Sequence, residues 1–258
     1  MDLLVAYADD PAGYNMTNFI SRDLVKDGDI FRGKYFDLAI ISTPAISADW
    51  IEEKFEYDGY IFLSKHAAES GVLALTCHNT GNFSTADFGG YERQVSIPHA
   101  NLQKSYIQNL WNARNQFTKF QITIEATHHG PTSLEKPTLF IEIGTTSKEW
   151  NDVSLCDSVA QIVVQTMQQK QKSYPIGICF GGTHYSDKFT NELIHGKHAL
   201  GTVIPKHALD KIDESLFSHI IERNRGATAA LLDWTGMGKN KHKILEMLEA
   251  TDLEIIKL

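Results

Sequence analysis

The distribution of apolar residues constrains the fold most, because short apolar runs alternate with helically periodic segments along the whole chain. A run of four to eight apolar residues fits a buried strand. Most runs are apolar on both faces, which favours a sheet that helices cover on each side. The predicted strands are Leu3–Ala8, Asp37–Ser42, Tyr60–Ser64, Val72–Thr76, Gln121–Thr127, Thr138–Ile143, Ile176–Phe180, Gly201–Ile204, Thr228–Asp233 and Leu253–Lys257.

Helical stripes, with apolar residues at spacings of three and four, lie between these strands. They are clear at His99–Phe117 and Asp152–Gln169, and weaker at Leu209–Asn224 and Asn240–Ala250. This alternation predicts a three-layer α/β fold with helices on both faces of a mostly parallel central sheet. No repeat or low-complexity linker divides residues 1–258, so we expect a single domain.

Charge and cysteine usage restrict the partners of the chain. It carries 24 Lys and Arg against 32 Asp and Glu, a net charge of −8. Such a chain binds nucleic acid only through a local basic group and a specific site, so no DNA partner is expected. Three cysteines without a C-x-x-C pair indicate a reducing compartment. With no signal peptide and no apolar stretch that could cross a bilayer, we expect a cytoplasmic protein without a membrane partner.

Several histidines and one glutamate follow predicted strands at their carboxyl ends. In an open α/β sheet the ligand crevice lies beyond those ends, so parallel strands would bring these side chains into one cleft. A lone histidine there is usually a hydrogen-bonded loop residue, whereas several at one edge indicate a functional site. The residues are His66, His78, His128, His129, Glu142 and His184.

The pair His128–His129 needs separate treatment, because neighbouring side chains on an extended backbone point to opposite faces. One of the two is therefore expected in the site, unless the chain turns there. Gly130 and Pro131 follow directly and make such a turn reasonable.

Imidazoles with one carboxylate form a donor set that suits zinc, which activates water and polarises an ester carbonyl. The spacing is not H-E-x-x-H, so it suggests a metal without establishing one. The metal-free alternative uses a histidine as general base on water. Both mechanisms give hydrolysis. The expected metal ligands are His66, His78, His128 and His184, and the expected catalytic residues are His128, His129, His184 and Glu142.

Glycine-bearing turns after two strands are candidates for binding an oxyanion or a phosphate through backbone N–H groups. Glycine in such turns is commonly only a backbone requirement. Neither turn matches a Walker or Rossmann fingerprint, and no G-x-S-x-G elbow is present. The candidate substrate-binding residues are Asn79, Thr80, Gly81, Asn82, Gly130, Pro131, Gly181, Gly182 and Thr183.

Basic residues are few but locally grouped. Arg223 and Arg225 end one predicted helix, and Lys239, Lys241 and Lys243 begin the next. The ordinary interpretation is a solvated surface with favourable charge at a helix C-terminus. The alternative is a grip on phosphates.

Several sequence blocks, in family order over most of the chain, resemble the archaeal and plant type of D-aminoacyl-tRNA deacylase. The most specific are EATHHGPT at 125–132 and FIEIG at 140–144. The other blocks are SKH at 64–66, TCHNTGN at 76–82, Trp150, GGTHY at 181–185, PK at 205–206 and DWTG at 233–236.

The resemblance implies hydrolysis of the ester that links a D-amino acid to the 3′ end of tRNA. It also implies zinc as cofactor and a fold related to peptidyl-tRNA hydrolase and nucleoside phosphorylases. For such a substrate our own expectation is that the acceptor end enters the cleft and a base stacks on Phe83, Phe88 or Tyr185. Backbone amides near Gly130, Gly181 and Gly182 are expected to bind the oxyanion. A monomer is expected.

Three positions depart from the family pattern. Thr202 replaces an expected histidine, His207 replaces an expected tyrosine, and Lys65 replaces an arginine. A lysine keeps the charge but loses the planar fork. His207 and His198 are candidates to replace the missing imidazole.

Two rival functions follow from the same residues. One is a nucleoside phosphorylase or nucleosidase on a similar sheet, which would cleave inosine or adenosine. The other is a non-catalytic tRNA-binding module that uses the basic groups alone.

Overall fold

The computed structural model describes residues 1–68 and 71–258, and its strands form an eight-stranded sheet, a four-stranded sheet and a two-stranded ribbon. The strands are β1 (Asp2–Tyr7), β2 (Val25–Asp27), β3 (Ile30–Arg32), β4 (Phe36–Ile41), β5 (Tyr60–Ala67), β6 (Ala74–His78), β7 (Gly81–Asn82), β8 (Gln94–Val95), β9 (Gln121–Ile124), β10 (Thr138–Thr145), β11 (Ile176–Phe180), β12 (Ala199–Ile204), β13 (Ala227–Leu232) and β14 (Glu254–Lys257). The helices are α1 (Pro11–Ile20), α2 (Ile51–Lys54), α3 (Ala100–Asn112), α4 (Ser147–Trp150), α5 (Val153–Gln168), α6 (Asp187–His195), α7 (Glu214–Arg223) and α8 (Lys241–Glu249).

The larger sheet has the order β2-β3-β4-β1-β5-β10-β6-β9. Its centre, β4-β1-β5-β10, is parallel, which confirms the α/β fold with a mostly parallel central sheet. Strands β6 and β9 are parallel to each other but antiparallel to β10. Only residues 68–73 connect β5 to β6, which is too few for a parallel crossover, so β6 runs back against β5 and β10. The expectation that all motif-bearing strands end at one sheet edge is therefore wrong.

The last four strands form a second, fully parallel sheet in the order β12-β11-β13-β14, instead of extending the first. One cluster of buried side chains contains residues of both sheets, such as Leu4 and Leu75 from the first and Cys179 and Leu231 from the second. Helices α1, α3, α5 and α6 contribute to the same cluster, whereas α7 and α8 pack on the other face of the second sheet. The single domain expected over residues 1–258 stays a prediction.

Strands β6 and β10 carry polar side chains of the site on the face opposite the helix-covered core. Leu75 and Cys77 of β6 and Ile141 of β10 pack in the helix-covered core. Their neighbours with the opposite orientation are polar, for example Thr76 and Glu142, which face each other across the β6–β10 pairing. The expectation of strands that are apolar on both faces is confirmed for β1 and β4, whose alternate residues pack in two different buried clusters. Strand β6 departs from it, because the period of two places its polar side chains together on one face.

The two strongest helix predictions are confirmed as α3 and α5 to within a few residues. The predicted helix Leu209–Asn224 is shorter, because Asp213 accepts a hydrogen bond from the backbone N–H of Leu216 and begins α7 there. Helix α1 was not predicted, although Asp10 caps it through the N–H of Gly13 at 2.9 Å. Within the two described ranges, no helix has both the length and the apolar character needed to cross a bilayer.

Lys104 of α3 connects the helical layer of the first sheet to the second sheet. Its side chain is fully buried. Its ammonium group donates hydrogen bonds to backbone carbonyl groups in the last turn of α6 and in the segment just after it. These bonds satisfy carbonyl oxygens that the helix itself leaves unpaired. The acceptors are Glu192 (3.1 Å), Leu193 (2.8 Å), Gly196 (3.0 Å) and His198 (2.9 Å).

Replacing Lys104 by Met should lower the free energy of unfolding by about 3 kcal/mol, because several buried carbonyl groups would lose their donor. Denaturant unfolding followed by circular dichroism measures this change. The exposed Lys172 is a matched control, and Lys172→Met should change the value by less than about 0.5 kcal/mol. Equal stabilities of the two variants would contradict the assigned role of Lys104.

Candidate active site

Four neighbouring strands place polar side chains on one face of the larger sheet. His66 lies on β5, Glu142 on β10 and His78 at the end of β6. Glu125 follows β9 directly and is 1% exposed. Gly144 lies opposite His66, and a Cβ at this glycine would lie 3.0 Å from the imidazole, so glycine leaves room for the ring.

His128 and His129 both face this group of side chains. His129 has a φ of 45°, so the chain turns and the two rings lie 4.4 Å apart between centroids. His78 contacts both of them, at 4.1 Å from His128 and 4.7 Å from His129. The neighbouring histidines therefore point to the same place, which an extended backbone would forbid.

The rings of His78, His128 and His129 are oriented by the same kind of contact. In each ring Nδ1 bonds a backbone carbonyl oxygen, and this leaves Nε2 with its lone pair. The buried Nε2 of His78 has no hydrogen-bond partner within the described residues. The carbonyl groups belong to Asn79 for His78 (3.2 Å), Ala126 for His128 (2.8 Å) and Gly130 for His129 (2.7 Å).

These three histidines form a donor set that fits a metal ion. Their ligand atoms lie within 4.8 Å of one another. Burial and neighbouring imidazoles lower the pKa of His128, and they lower the pKa of His129 to about 4, so both rings are neutral at pH 7. Burial opposes the charged form of His78 as well, but the carboxylate of Glu142 at 3.8 Å outweighs it and raises the pKa of His78. An unpartnered buried Nε2 beside two neutral imidazoles suits Zn²⁺.

Glu125 connects the two halves of the site, although the sequence analysis assigned it no role. Its carboxylate accepts hydrogen bonds from the hydroxyl of Thr76 and from Nε2 of His184, the latter at 2.8 Å. Burial opposes ionisation, but the bonds from His184 and His66 outweigh it and hold the pKa of Glu125 low. A carboxylate among the alternating apolar residues of QITIEA was the signal that could have identified it.

His66 bridges the two buried carboxylates. Its Nδ1 lies 3.1 Å from Glu125 Oε1 and 3.2 Å from Glu142 Oε2, while Nε2 contacts the hydroxyl of Tyr185. Burial alone would lower its pKa, but the two carboxylates raise the pKa of His66 to about 10. Both ring nitrogens are thus engaged, and His66 lies as a cation between the two carboxylates. Its role as a metal ligand stays a prediction, and His66, Glu125 and Glu142 form a second group whose ligand atoms lie within 4.8 Å of one another.

Two cavities meet at the histidine pair. The larger, of about 620 Å³, also contacts His66, Glu142, His184 and an apolar wall. The smaller has a volume of about 240 Å³. Both are lined by Phe88, His128 and His129. The apolar wall of the larger cavity consists of Pro44, Ala45, Ile46, Ala67, Ala68 and Phe88, and the smaller cavity adds Gly81, Asn82, Phe83, Ser84, Thr85, Asp87, Thr127, His207, Ala208 and Lys211.

The predicted substrate-binding turns divide between this site and the scaffold. Gly81 and Asn82 line the smaller cavity. Asn79 and Thr80 are buried, and their side chains bond backbone groups. Thr80 donates to the carbonyl of Pro131, so Pro131 anchors the turn from the inside.

Two of the backbone amides expected to bind an oxyanion are already occupied. The N–H of Gly130 donates to the carbonyl of Phe88 at 3.1 Å, and the N–H of Gly181 donates to Ile204 at 2.8 Å. The oxyanion role predicted for these two amides is therefore wrong. Gly182 and Thr183 line a separate cavity of about 220 Å³.

The structure places Thr202 and the two candidate replacement histidines in different environments. Thr202 is buried, and its hydroxyl accepts a bond of 2.7 Å from Asn224. His198 bonds Glu192 at 2.8 Å, outside the lining of both cavities, whereas His207 lines the smaller one. Of the two histidines considered as replacements, His207 is the one beside the site.

The basic groups have different environments. Arg223 is 7% exposed and donates to the carbonyl groups of Val95 and Leu134 and to the carboxylate of Glu135, so a phosphate-binding role is wrong for this residue. The Lys241 ammonium lies 4.8 Å from the ring of Trp234. Lys243 donates to backbone carbonyl groups, and Lys239 is exposed.

Comparisons with known proteins agree with the sequence blocks. A family model described as D-aminoacyl-tRNA deacylase matches residues 53–256. A D-aminoacyl-tRNA deacylase of Cenarchaeum symbiosum is 55% identical over 99% of both chains, and one of Methanocaldococcus jannaschii is 31% identical over 98% of this chain and 97% of the relative. A crystal structure of a conserved protein of unknown function aligns with a TM-score of 0.93 at 26% identity, covering 100% of this chain and 95% of that one. The resemblance is confirmed, and the chain belongs to the D-aminoacyl-tRNA deacylase family.

Proposed function

We propose that this protein hydrolyses the ester bond of D-aminoacyl-tRNA and releases the free D-amino acid and tRNA. The observation that carries the proposal is the group formed by His78, His128 and His129, whose ligand atoms lie within 4.8 Å of one another, in a chain of this family. His128 and His129 line the larger cavity. The acceptor end of the tRNA enters this cavity. Because all these side chains come from one chain, a monomer is sufficient, and the substrate places the reaction in the cytoplasm.

Zinc is the proposed cofactor, held by Nε2 of His78, His128 and His129. Three imidazoles with one open position are a common catalytic zinc set. A zinc ion bound there would lower the pKa of a water molecule and polarise the ester carbonyl. The three backbone carbonyl groups that bond Nδ1 of these rings hold the donor nitrogens in place.

His184 is the proposed general base of the reaction, and Glu125 is the carboxylate that orients it. The carboxylate holds the proton on Nε2 of His184, which leaves Nδ1 free to take a proton from water. The side chain of His184 is 44% exposed and lines the larger cavity, so it can meet substrate and water. His184 could take the proton from water both when zinc activates that water and in the metal-free alternative.

The rival functions are less well supported. A nucleosidase needs a nucleoside enclosed beside its catalytic groups, whereas the larger cavity combines an apolar wall with histidines suited to ester hydrolysis. A tRNA-binding module without catalysis does not require a network of buried carboxylates and histidines. Phosphate-dependent cleavage of inosine or adenosine would support the first rival and exclude the proposed reaction as the main activity.

Replacing His184 by Ala should reduce kcat/KM for D-tyrosyl-tRNA by about 10²- to 10⁴-fold, the usual contribution of a general base. Release of D-tyrosine from charged tRNA measures it. The control is His242→Ala, since that side chain is 86% exposed and lies outside both cavities. Activity of the His184 variant within a factor of two of wild type, with an unchanged circular dichroism spectrum, would contradict the role.

Removal of metal should abolish most deacylation, and added zinc should restore it. Atomic absorption of the purified protein should show bound zinc that is lost in His78→Ala and retained in His242→Ala. The readout of metal content is independent of activity. Full deacylation by metal-free protein would reject zinc and favour histidine-only base catalysis.

The stereochemical preference is tested separately. The protein should release D-tyrosine from tRNA at least about 100-fold faster than L-tyrosine, a discrimination of about 2.7 kcal/mol. The same enzyme preparation and tRNA serve both measurements, so only the configuration differs. Equal rates would reject the D-specific assignment, although the protein would still be an esterase that acts on aminoacyl-tRNA.

A further inference from the structure

Phe88 exposes its ring at the place where the two cavities meet. The side chain is 70% exposed, and it lines both cavities together with His128 and His129. Water-exposed phenyl rings lose the favourable burial that most of them have in proteins. An exposed ring beside reactive histidines is therefore available to a ligand.

The backbone around Phe88 is fixed although the ring is exposed. The carbonyl of Phe88 accepts from the N–H of Gly130 at 3.1 Å, and the carbonyl of Gly89 accepts from the amide of Asn82 at 2.8 Å. Gly89 has a φ of +77°, and a Cβ there would lie 2.0 Å from the carbonyl oxygen of Ile46. The ring thus stands on an anchored segment, as a preorganised binding surface requires.

The other two aromatic candidates are occupied. Phe83 is 8% exposed and packs in the core of the second sheet. The hydroxyl of Tyr185 contacts His66 in the buried network. Of these three, Phe88 is the one with a free ring face.

The chemistry of an aminoacyl-tRNA limits what can lie on this ring. Its ester carbonyl must reach the histidines, and the terminal adenine is attached to the same ribose as the ester. His207 and Lys211 line the smaller cavity and offer donors to a ribose and a phosphate. Pro44 and Ile46 in the larger cavity suit an amino-acid side chain.

We propose that the terminal adenine of the tRNA stacks on Phe88 and that the smaller cavity receives the terminal nucleotide, with the amino acid in the larger cavity. This inference rests on the proposed function, because it names the subsites of the same reaction. Base stacking on an aromatic side chain contributes a sequence-tolerant attraction and does not require a strongly basic protein. It therefore explains how an acidic chain can hold the end of a tRNA.

The test is a binding measurement with uncharged tRNA that ends in CCA and the same tRNA without the terminal adenosine. Wild-type protein should bind the complete tRNA about tenfold more tightly, and Phe88→Ala should remove this difference. Phe88→Trp should keep it, because an indole ring also stacks. Tyr91→Ala is the matched control: this aromatic residue of the same segment is 54% exposed but lies outside both cavities, and its replacement should change neither affinity.

Two results would overturn the inference. One is a preference for the terminal adenosine that survives in Phe88→Ala. The other is a Phe88→Ala variant that keeps its tRNA affinity but loses activity on D-tyrosyl-tRNA more than on D-alanyl-tRNA, because the ring would then contact the amino acid. The binding data do not depend on catalysis, so a wild-type protein without deacylase activity would refute the proposed function while the stacking result stands by itself.

Discussion

The contact of His66 with Glu125 and Glu142 is the interaction on which the site depends. Two buried carboxylates disfavour each other's charge, and one would be protonated without a cation between them. Nδ1 of His66 lies 3.1 Å from one and 3.2 Å from the other, and the pKa values of both carboxyl groups are held low despite burial. With both ionised, Glu125 orients His184, and Glu142 lies 3.8 Å from Nε2 of His78.

The same side-chain type therefore has two electrostatic roles within one cluster. His66 touches two carboxylates and is cationic, whereas His128 and His129 are partly buried beside other imidazoles, which lowers their pKa values. A cationic ring neutralises charge but offers no lone pair, and a neutral ring can bind a metal or accept a proton. The protonation state of each histidine therefore depends on the charges nearest to it and not on the residue type.

The sequence predicted which side chains form the site better than how the strands arrange them. Histidines after strands identified the cluster because each strand is encoded locally by its apolar run. The strand directions depend on partners distant in sequence: β10 lies between β5 and β6, and no local pattern shows this. Glu125 was missed for a related reason, since only the pairing of β9 with β6 shows that it shares a face with His78.

The position of the site between the two sheets has a mechanical consequence. The segment after β9 leaves the first sheet and bonds the second: Ala126 N–H donates to His184 at 2.8 Å, and Thr127 N–H donates to Val203 at 2.9 Å. These bonds hold His184, which lies between β11 and α6, against Glu125, which follows β9. Because His128 follows Thr127 directly, the same bonds also position the histidine pair relative to the second sheet. The His184–Glu125 contact and the arrangement of the three neighbouring histidines therefore both depend on the packing of the two sheets, since Asn79 beside His78 also bonds Gly201 of β12.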